Sequence, residues 1–440
     1  MTQDPAVSRL LTRTPQVLRP DASRTFCRLF VPGEETLIQG ESRALAVIDR
    51  ILDLSEQEAE QTLARTLDRF SAGHRDLRET LERNFQLVAD RLERDISPGS
   101  MRRRLIGAYF TQEYALEAAA LFNPSMIAHP DQAGCQPGDV RFIMSLRAVG
   151  EGHLSSIEFR TGVFGEAGIR LDEPGRFIDT GRTYPVPSDC DLFPAKTAGS
   201  SYAVEFDERS ALSERVLWPA SPAESHGMED ARFVRFTDRA EAIYYATYTA
   251  FDGSQVAPHL LETTDFRTFT VSALSGPSAR NKGMALFPRQ IGGRLAALSR
   301  WDRESNAIAY SDDGQQWSEA VTIQVPARPW ELTQLGNCGS PIETPAGWLV
   351  FTHGVGPMRE YSIGAILLDR EEPERLIGAL AEPLLVANES ERAGYVPNVV
   401  YSCGAMLHDG SIVLPYGCSD SSVRIAIIDL SQLLECLVSG

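Results

Sequence analysis

Apolar residues recur at helical spacing from Glu41 to Leu92 and then lose that period. Ala44, Val47, Ile48, Ile51 and Leu52 share one helix face, and so do Leu63, Leu67 and Phe70. Ser55 followed by Glu58 is a capping-box pair that opens the second helix. A third helix is expected over about Arg75 to Arg94, with a break at Ser97-Pro98. Ser100 to Leu121 reads as a fourth, with Met101, Leu105, Ala108 and Tyr109 on one face. Residues 1 to about 40 read as an irregular arm, so residues 1–120 form a helical module in this reading.

After Phe122 the pattern changes to short β-rich runs. Examples are Arg141–Leu146, Ala242–Thr249, Leu295–Ser299, Gly347–Thr352, Ile363–Leu368 and Ser411–Tyr416. Asp252-Gly253, Gly292-Gly293, Asp313-Gly314 and Asp409-Gly410 supply tight turns between them. A short helix is expected near the C-terminus. So many short strands over residues 121–440 are too many for a sandwich and favour an all-β propeller. Ser311-Asp312-Asp313-Gly314-Gln315-Gln316-Trp317 resembles the Asp-box turn of propeller blades in sugar-acting enzymes, with a looser echo at Thr264-Asp265-Phe266. No internal repeat sets the number of blades.

Composition narrows the partners. The 440 residues are 43% hydrophobic and 23% charged, an ordinary globular balance, and the formal net charge is −18. That charge argues against nucleic acid or an anionic membrane as the main partner, but permits a small anion in a local basic pocket. No apolar run reaches the roughly 18 residues of a membrane span, and Met1 to Leu11 holds no apolar signal core. The seven cysteines stand singly, which favours reduced thiols and a cytoplasmic location. Only Lys196 and Lys282 are lysines among the 42 basic residues, which draws attention to both.

Three segments could carry chemistry. His226-Gly227-Met228-Glu229-Asp230-Ala231-Arg232 sets two acids and an arginine beside the apolar pair Phe233-Val234. On a regular strand one acid would face a pocket and its neighbour would pair behind it. The bland alternative is a solvated surface turn. Ser145 to Ser156 ends a strand in a glycine-flanked loop with Arg147, Glu151, His153 and two serines, groups able to bind a sugar or to make a polar hairpin. Lys282, Arg300, His353 and Tyr361 each lie near a strand end; converging, they would bind phosphate, and singly each is a structural residue. Trp301, Trp330 and Trp348 are candidate sugar platforms, with core packing expected for at least two. Histidine spacing suits no metal site, and there is no G-x-S-x-G elbow.

An ordered set of motifs resembles glycoside hydrolase family 130, the β-mannoside phosphorylases and mannosidases. It comprises Phe122-Asn123-Pro124, Gly227 to Arg232, Lys282 to Pro288 and Leu298-Ser299-Arg300. It continues through Gly339 to Thr344 with Gly347-Trp348, Thr352 to Val355, Ile363 to Asp369, Val396 to Val400 with Cys403-Gly404, and Tyr416-Gly417 with Asp420. The resemblance implies a five-bladed β-propeller with its site in the central funnel. It implies Asp230 as proton donor, acting through the sugar's 3-hydroxyl, and Lys282, Arg300, His353 and Tyr361 as phosphate ligands. The usual first cation there is Arg, so Lys282 is a departure. Asn123, Arg147 and Asp420 would line the mannosyl subsite, with Ser155 and Arg232 as further substrate-binding candidates. The implied reaction is inverting phosphorolysis of β-mannosides, β-1,2-linked manno-oligosaccharides favoured, to α-mannose 1-phosphate. Inorganic phosphate is then co-substrate, with no metal or organic cofactor. The partners are the oligosaccharide and phosphate. The family core leaves the N-terminal helices outside it, and packing beside the propeller, shaping the acceptor side and joining copies into a homo-oligomer all remain open as their role. Two rivals stand: a β-mannosidase using water with Glu151 or Glu343 as base, and a glycan-binding propeller without catalysis.

Overall fold

A computed structural model describes residues 10–32, 42–91, 97–186, 201–238 and 242–438. Lys196, Cys190, the expected helix end at residues 92–94 and the first nine residues lie outside them. The fold is mostly β with a few helices. The chain divides into two compact units, one of residues 22–116 with 176–178, the other of the remaining chain.

Among the described residues the first unit holds four helices: α1 (Arg43–Leu52), α2 (Glu56–Phe70), α3 (Leu77–Arg91) and α4 (Ser100–Tyr109). Ser42 caps α1, and the Ser55–Glu58 capping box closes both ways: Ser55 Oγ accepts from Glu58 N and Glu58 Oε2 accepts from Ser55 N. The core joins Ile48, Leu63, Leu67, Leu81, Phe85, Leu105, Ile106 and Phe110. At Gly107 a Cβ would stand 1.8 Å from the Leu81 carbonyl oxygen, so glycine is what lets α4 lie against α3. Leu105 is buried with Ile106, and Met101 and Ala108 pack against the same core, as the spacing predicts; Tyr109, expected on that face, is 46% exposed. Nor does α4 reach Leu121. Thr111 Oγ1 donates to the Gly107 carbonyl, and Thr111–Ala115 becomes a strand paired with Thr25–Leu29, inside the arm expected to be irregular.

The second unit contains five antiparallel groups of strands among the described residues. The first is built on Ala120–Ala128, Val140–Val149 and Ser155–Gly165. The second runs from Gly227–Phe236 through Ile243–Phe251, Val256–Thr263 and Thr268–Ala273. Among the described residues the backbone strand pairing between these two is the parallel pair Gly227–Ser155, and the Phe233 amide also donates to Ser125 Oγ. The third is Ala285–Leu286, Leu295–Ser299, Asn306–Ser311 and Val321–Gln324. The fourth centres on Gly347–Val355 and Tyr361–Leu368, the fifth on Ser411–Cys418 and Ser422–Asp429. The strand Leu11–Leu18 adds to the edge of the fifth, with Thr14 Oγ1 donating to the Ile425 carbonyl. This too corrects the irregular arm: its partner lies at the other end of the chain, beyond any local pattern. The short C-terminal helix α5 (Leu430–Val438) follows.

The Asp-box turn forms as expected. Asp313 Oδ1 accepts from the Gln315 and Gln316 amides at 2.9 and 2.8 Å, and Trp317 is buried. Asp265 makes the same pair of bonds with Arg267 and Thr268. Trp330 and Trp348 are core residues.

Candidate functional site

All five strand groups send residues to one cavity of about 810 Å³. Asn123 and Asp230 come from the first strands of groups one and two, and Lys282 from just before the third group. Arg147, Arg300 and His353 come from the ends of second or central strands, Tyr361 opens the strand after His353, and Asp420 sits in the last hairpin turn.

Two of these groups reach the cavity through the same backbone device. Gly150 (φ −100°, ψ −159°) and Gly356 (φ −101°, ψ −162°) end their strands alike. Gly152 and His153 (φ 70° and 59°) correspond to Met358 and Arg359 (φ 58° and 57°). Arg147 and His353 each lie three residues before the leading glycine, so they are equivalent positions on two groups.

The acidic pair does not alternate as a regular strand would place it. The register between Gly227–Phe236 and Ile243–Phe251 shifts between Glu229 and Arg232, a β-bulge, and Asp230 takes φ 57°. Asn123 (φ 49°) sits in a second bulge and donates from Nδ2 to Asp230 Oδ1 at 2.7 Å. Arg147 straddles both acids, with Nη2 2.7 Å from Glu229 Oε1 and Nη1 3.4 Å from Asp230 Oδ1. Lys282 Nζ pairs with Glu229 Oε2. Burial works to raise the Asp230 pKa, but Arg147, Arg232, Lys282 and the Asn123 amide together hold it below the usual carboxylate value. Asp420 goes the other way: burial, then the Asp230 charge, push it up to about 6 against the pull of Arg147 and Arg359.

The four expected phosphate ligands all line the cavity. Arg300 Nη2 donates to the Arg303 carbonyl at 3.2 Å, while its buried Nε has no partner. His353 is fully buried, and burial, then the Arg300 and Arg232 charges, hold its pKa well below normal, so the imidazole is neutral. Its Nδ1 is likewise buried without a partner. The ring stacks on Tyr361 (6.1 Å between centroids, 9° between planes) and meets Tyr401 edge-on at 4.9 Å.

Two substrate candidates do not reach the wall. Arg232 is 1% exposed; Nε donates to Cys338 O at 2.9 Å, Nη1 to Asp230 O at 2.7 Å and Nη2 to Tyr401 Oη at 2.9 Å. It braces the site from behind, because the bulge turns Asp230 to the cavity and Arg232 inward. Ser155 is fully buried at the junction of the first two groups, where a Cβ on Gly227 would stand 2.2 Å from its Oγ. Asn123, Arg147 and Asp420 do line the cavity. Neither proposed hydrolytic base is on that wall. Glu343 is tied to Arg289 and Arg370, and Glu151 lies on the exposed turn after Gly150. His153 and Trp301 are also off it. Sequence reasoning missed Arg280, Arg303 and Arg359, which lie outside the strands where an arginine looks like any other surface charge, and Gln334, which opens the strand Gln334–Asn337. With Arg147, Lys282 and Arg300, the arginines make six cations on the wall against Asp230 and Asp420, a basic pocket in a protein of net charge −18.

The sequence profile of glycoside hydrolase family 130, described as β-1,4-mannooligosaccharide phosphorylase, matches residues 199–439. The chain belongs to family 130. The matched span carries Asp230 and all four candidate phosphate ligands, while Asn123 and Arg147 precede it. Similar proteins include a 1,2-β-oligomannan phosphorylase of Thermoanaerobacter sp. (strain X514), 31% identical over 231 residues, or 50% of this chain and 75% of the relative. A β-1,2-mannobiose phosphorylase of the same strain is 32% identical over 247 residues, 53% of this chain and 77% of the relative. Among solved structures, the β-1,2-mannobiose phosphorylase of Listeria innocua in complex with β-1,2-mannobiose aligns with TM-score 0.50 and 22% identity. That alignment covers 73% of this chain and 93% of the other. A putative glycoside hydrolase of Bacteroides ovatus aligns with TM-score 0.54 and 16% identity, covering 73% and 90%. These two alignments speak for a family 130 fold.

Proposed function

We propose that this family 130 protein is an inverting β-mannoside phosphorylase acting on β-1,2-linked manno-oligosaccharides. The carrying observation is the gathering of Lys282, Arg300, His353 and Tyr361 on one wall beside Asp230, with Arg300 Nε and His353 Nδ1 buried and unpartnered. A phosphate oxygen satisfies such groups, and guanidinium and ammonium charge favours it. The names of the relatives at 31% and 32% identity support β-1,2 linkage. The five strand groups, with Leu11–Leu18 joining first chain end to last, are read as five propeller blades around the cavity.

In the proposed reaction a phosphate oxygen attacks C1 of the terminal mannosyl unit from the face opposite the leaving group. The C1–O bond breaks, and its electron pair goes to the glycosidic oxygen. That oxygen takes a proton from the sugar's 3-hydroxyl, which Asp230 replenishes. The products are α-mannose 1-phosphate and a shortened oligosaccharide. Phosphate brings its own negative charge, so one protein acid suffices. Phosphate on Lys282 also offsets one of the cations that hold the Asp230 pKa down. Its arrival raises the Asp230 pKa and readies the acid.

Incubation with β-1,2-mannobiose, with and without inorganic phosphate, tests this. Mannose 1-phosphate formed only with phosphate is the expected outcome. Free mannose at a phosphate-independent rate would overturn it in favour of hydrolysis.

A further inference from the structure

Glu229 is adjacent to the proposed acid, yet nothing in the reaction above uses it. Its side chain is 7% exposed. Oε1 accepts from Arg147 Nη2 at 2.7 Å, and Oε2 pairs with Lys282 Nζ. Both cations line the cavity, and Arg147 also reaches Asp230; in the proposed reaction Arg147 serves the sugar and Lys282 the phosphate. One carboxylate thus ties together a cation from each half of the site. The bulge is what allows this, because it lets consecutive acids converge on Arg147 instead of pointing to opposite faces.

Several groups act on Asp230. Arg147 and the Asn123 amide come from the first strand group, and Arg232 from Asp230's own strand. Lys282 comes from the loop before Ala285, and Asp420 from the last hairpin turn. Neutral His353, Tyr401 and the Cys403 thiol are buried within reach of the Asp230 charge. Three cations therefore oppose a single facing carboxylate, Asp420. Glu229 bonds two of those three cations.

We propose that Glu229 is a positioning residue that offsets the charge of Arg147 and Lys282 and so keeps Asp230 able to hold the proton it delivers. The proposal rests on the phosphorolysis reading for the identity of that proton transfer. Without the Glu229 charge, Arg147 and Lys282 pull on Asp230 unopposed and favour its anion. Lys282 is at the same time released to phosphate. Loss of the charge therefore has two effects that a merely structural role does not combine: weaker acid catalysis and tighter phosphate binding.

The test is Glu229→Gln, which keeps the shape and removes the charge. Steady-state rates of mannose 1-phosphate formation are measured across the neutral range. Inorganic phosphate alone is titrated by calorimetry. The alkaline limb of kcat is expected to move to lower pH by about one unit, which is a tenfold loss of kcat on that limb. The Kd for phosphate is expected to fall. A limb that stays in place, or weaker phosphate binding, overturns the proposal. Glu229→Asp carries the test alone if Glu229→Gln does not fold. It is too short to bridge both cations and so frees one of them, and either a limb moved to lower pH or a lower Kd for phosphate is expected; kcat that falls with neither change overturns the proposal. If the wild-type protein forms no mannose 1-phosphate, the functional reading fails separately, and the phosphate titration still decides whether Glu229 restrains Lys282.

Discussion

Replacing Arg232 with methionine separates a brace from a substrate ligand. The guanidinium is 1% exposed and makes three hydrogen bonds, to the carbonyls of Cys338 and Asp230 and to the Tyr401 hydroxyl. Hydrogen bonds to a charged group contribute about 1.5–3 kcal/mol each, and a buried carbonyl left unmatched costs about 1–3 kcal/mol. Methionine recovers part of this as apolar burial, and water reaching Tyr401 from the cavity recovers some more. The net loss is about 3–5 kcal/mol, the range for breaking a buried charged contact. Urea unfolding followed by tryptophan fluorescence reads it directly, because all five tryptophans (218, 301, 317, 330 and 348) belong to the β unit. The midpoint should drop without a change in slope. A loss below about 1 kcal/mol together with a raised KM for mannoside would refute the argument and return Arg232 to the substrate.

The remaining expectations concern the cavity wall. Asp230→Asn should lower kcat by about 10²–10⁴-fold, the usual worth of a positioned acid, while calorimetry still detects the mannoside; retained turnover would remove Asp230 from the chemistry. Arg300→Ala should raise the KM for phosphate far more than that for mannoside, and an equal rise in both would contradict its place beside His353. Asp420 has a folded pKa raised from 3.8 to about 6. Between those values the folded state binds the proton that the unfolded state has lost, so stability falls as pH rises through this window and then levels off. Asp420→Asn should abolish that slope in urea midpoints taken across the window; a slope that persists would place the titrating group elsewhere.

Much of the fold was legible because it rests on local spacing. The Ser55–Glu58 box, the apolar face of α1 and α2, the Asp-box turn at Asp313 and the hairpin at Asp409-Gly410 each need only a few neighbouring residues. The candidate site was legible for a different reason. Asp230, Lys282, Arg300 and His353 sit in short motifs whose order along the chain marks the family, and Tyr361 lies between two of them. The equivalence of the Gly150 and Gly356 loops was not legible. Glycine at 152 faces methionine at 358, so the two segments share backbone angles and little sequence. Nor was the true length of α4, because what ends it is a pairing of Thr111–Ala115 with residues more than eighty positions earlier.

The sequence by itself determined the mostly β class, the helical stretch before it, the family and the polar residues that could meet in one site. Only the tertiary structure decided which of them do. Leu11–Leu18 became a strand because its partner is some four hundred residues away, and no local period records such a pairing. One inserted residue in a strand reverses which side chains face inward, and nothing in the spacing of Glu229, Asp230 and Arg232 announces the insertion. That bulge sends Asp230 to the cavity, sets Glu229 between Arg147 and Lys282, and buries Arg232 behind them.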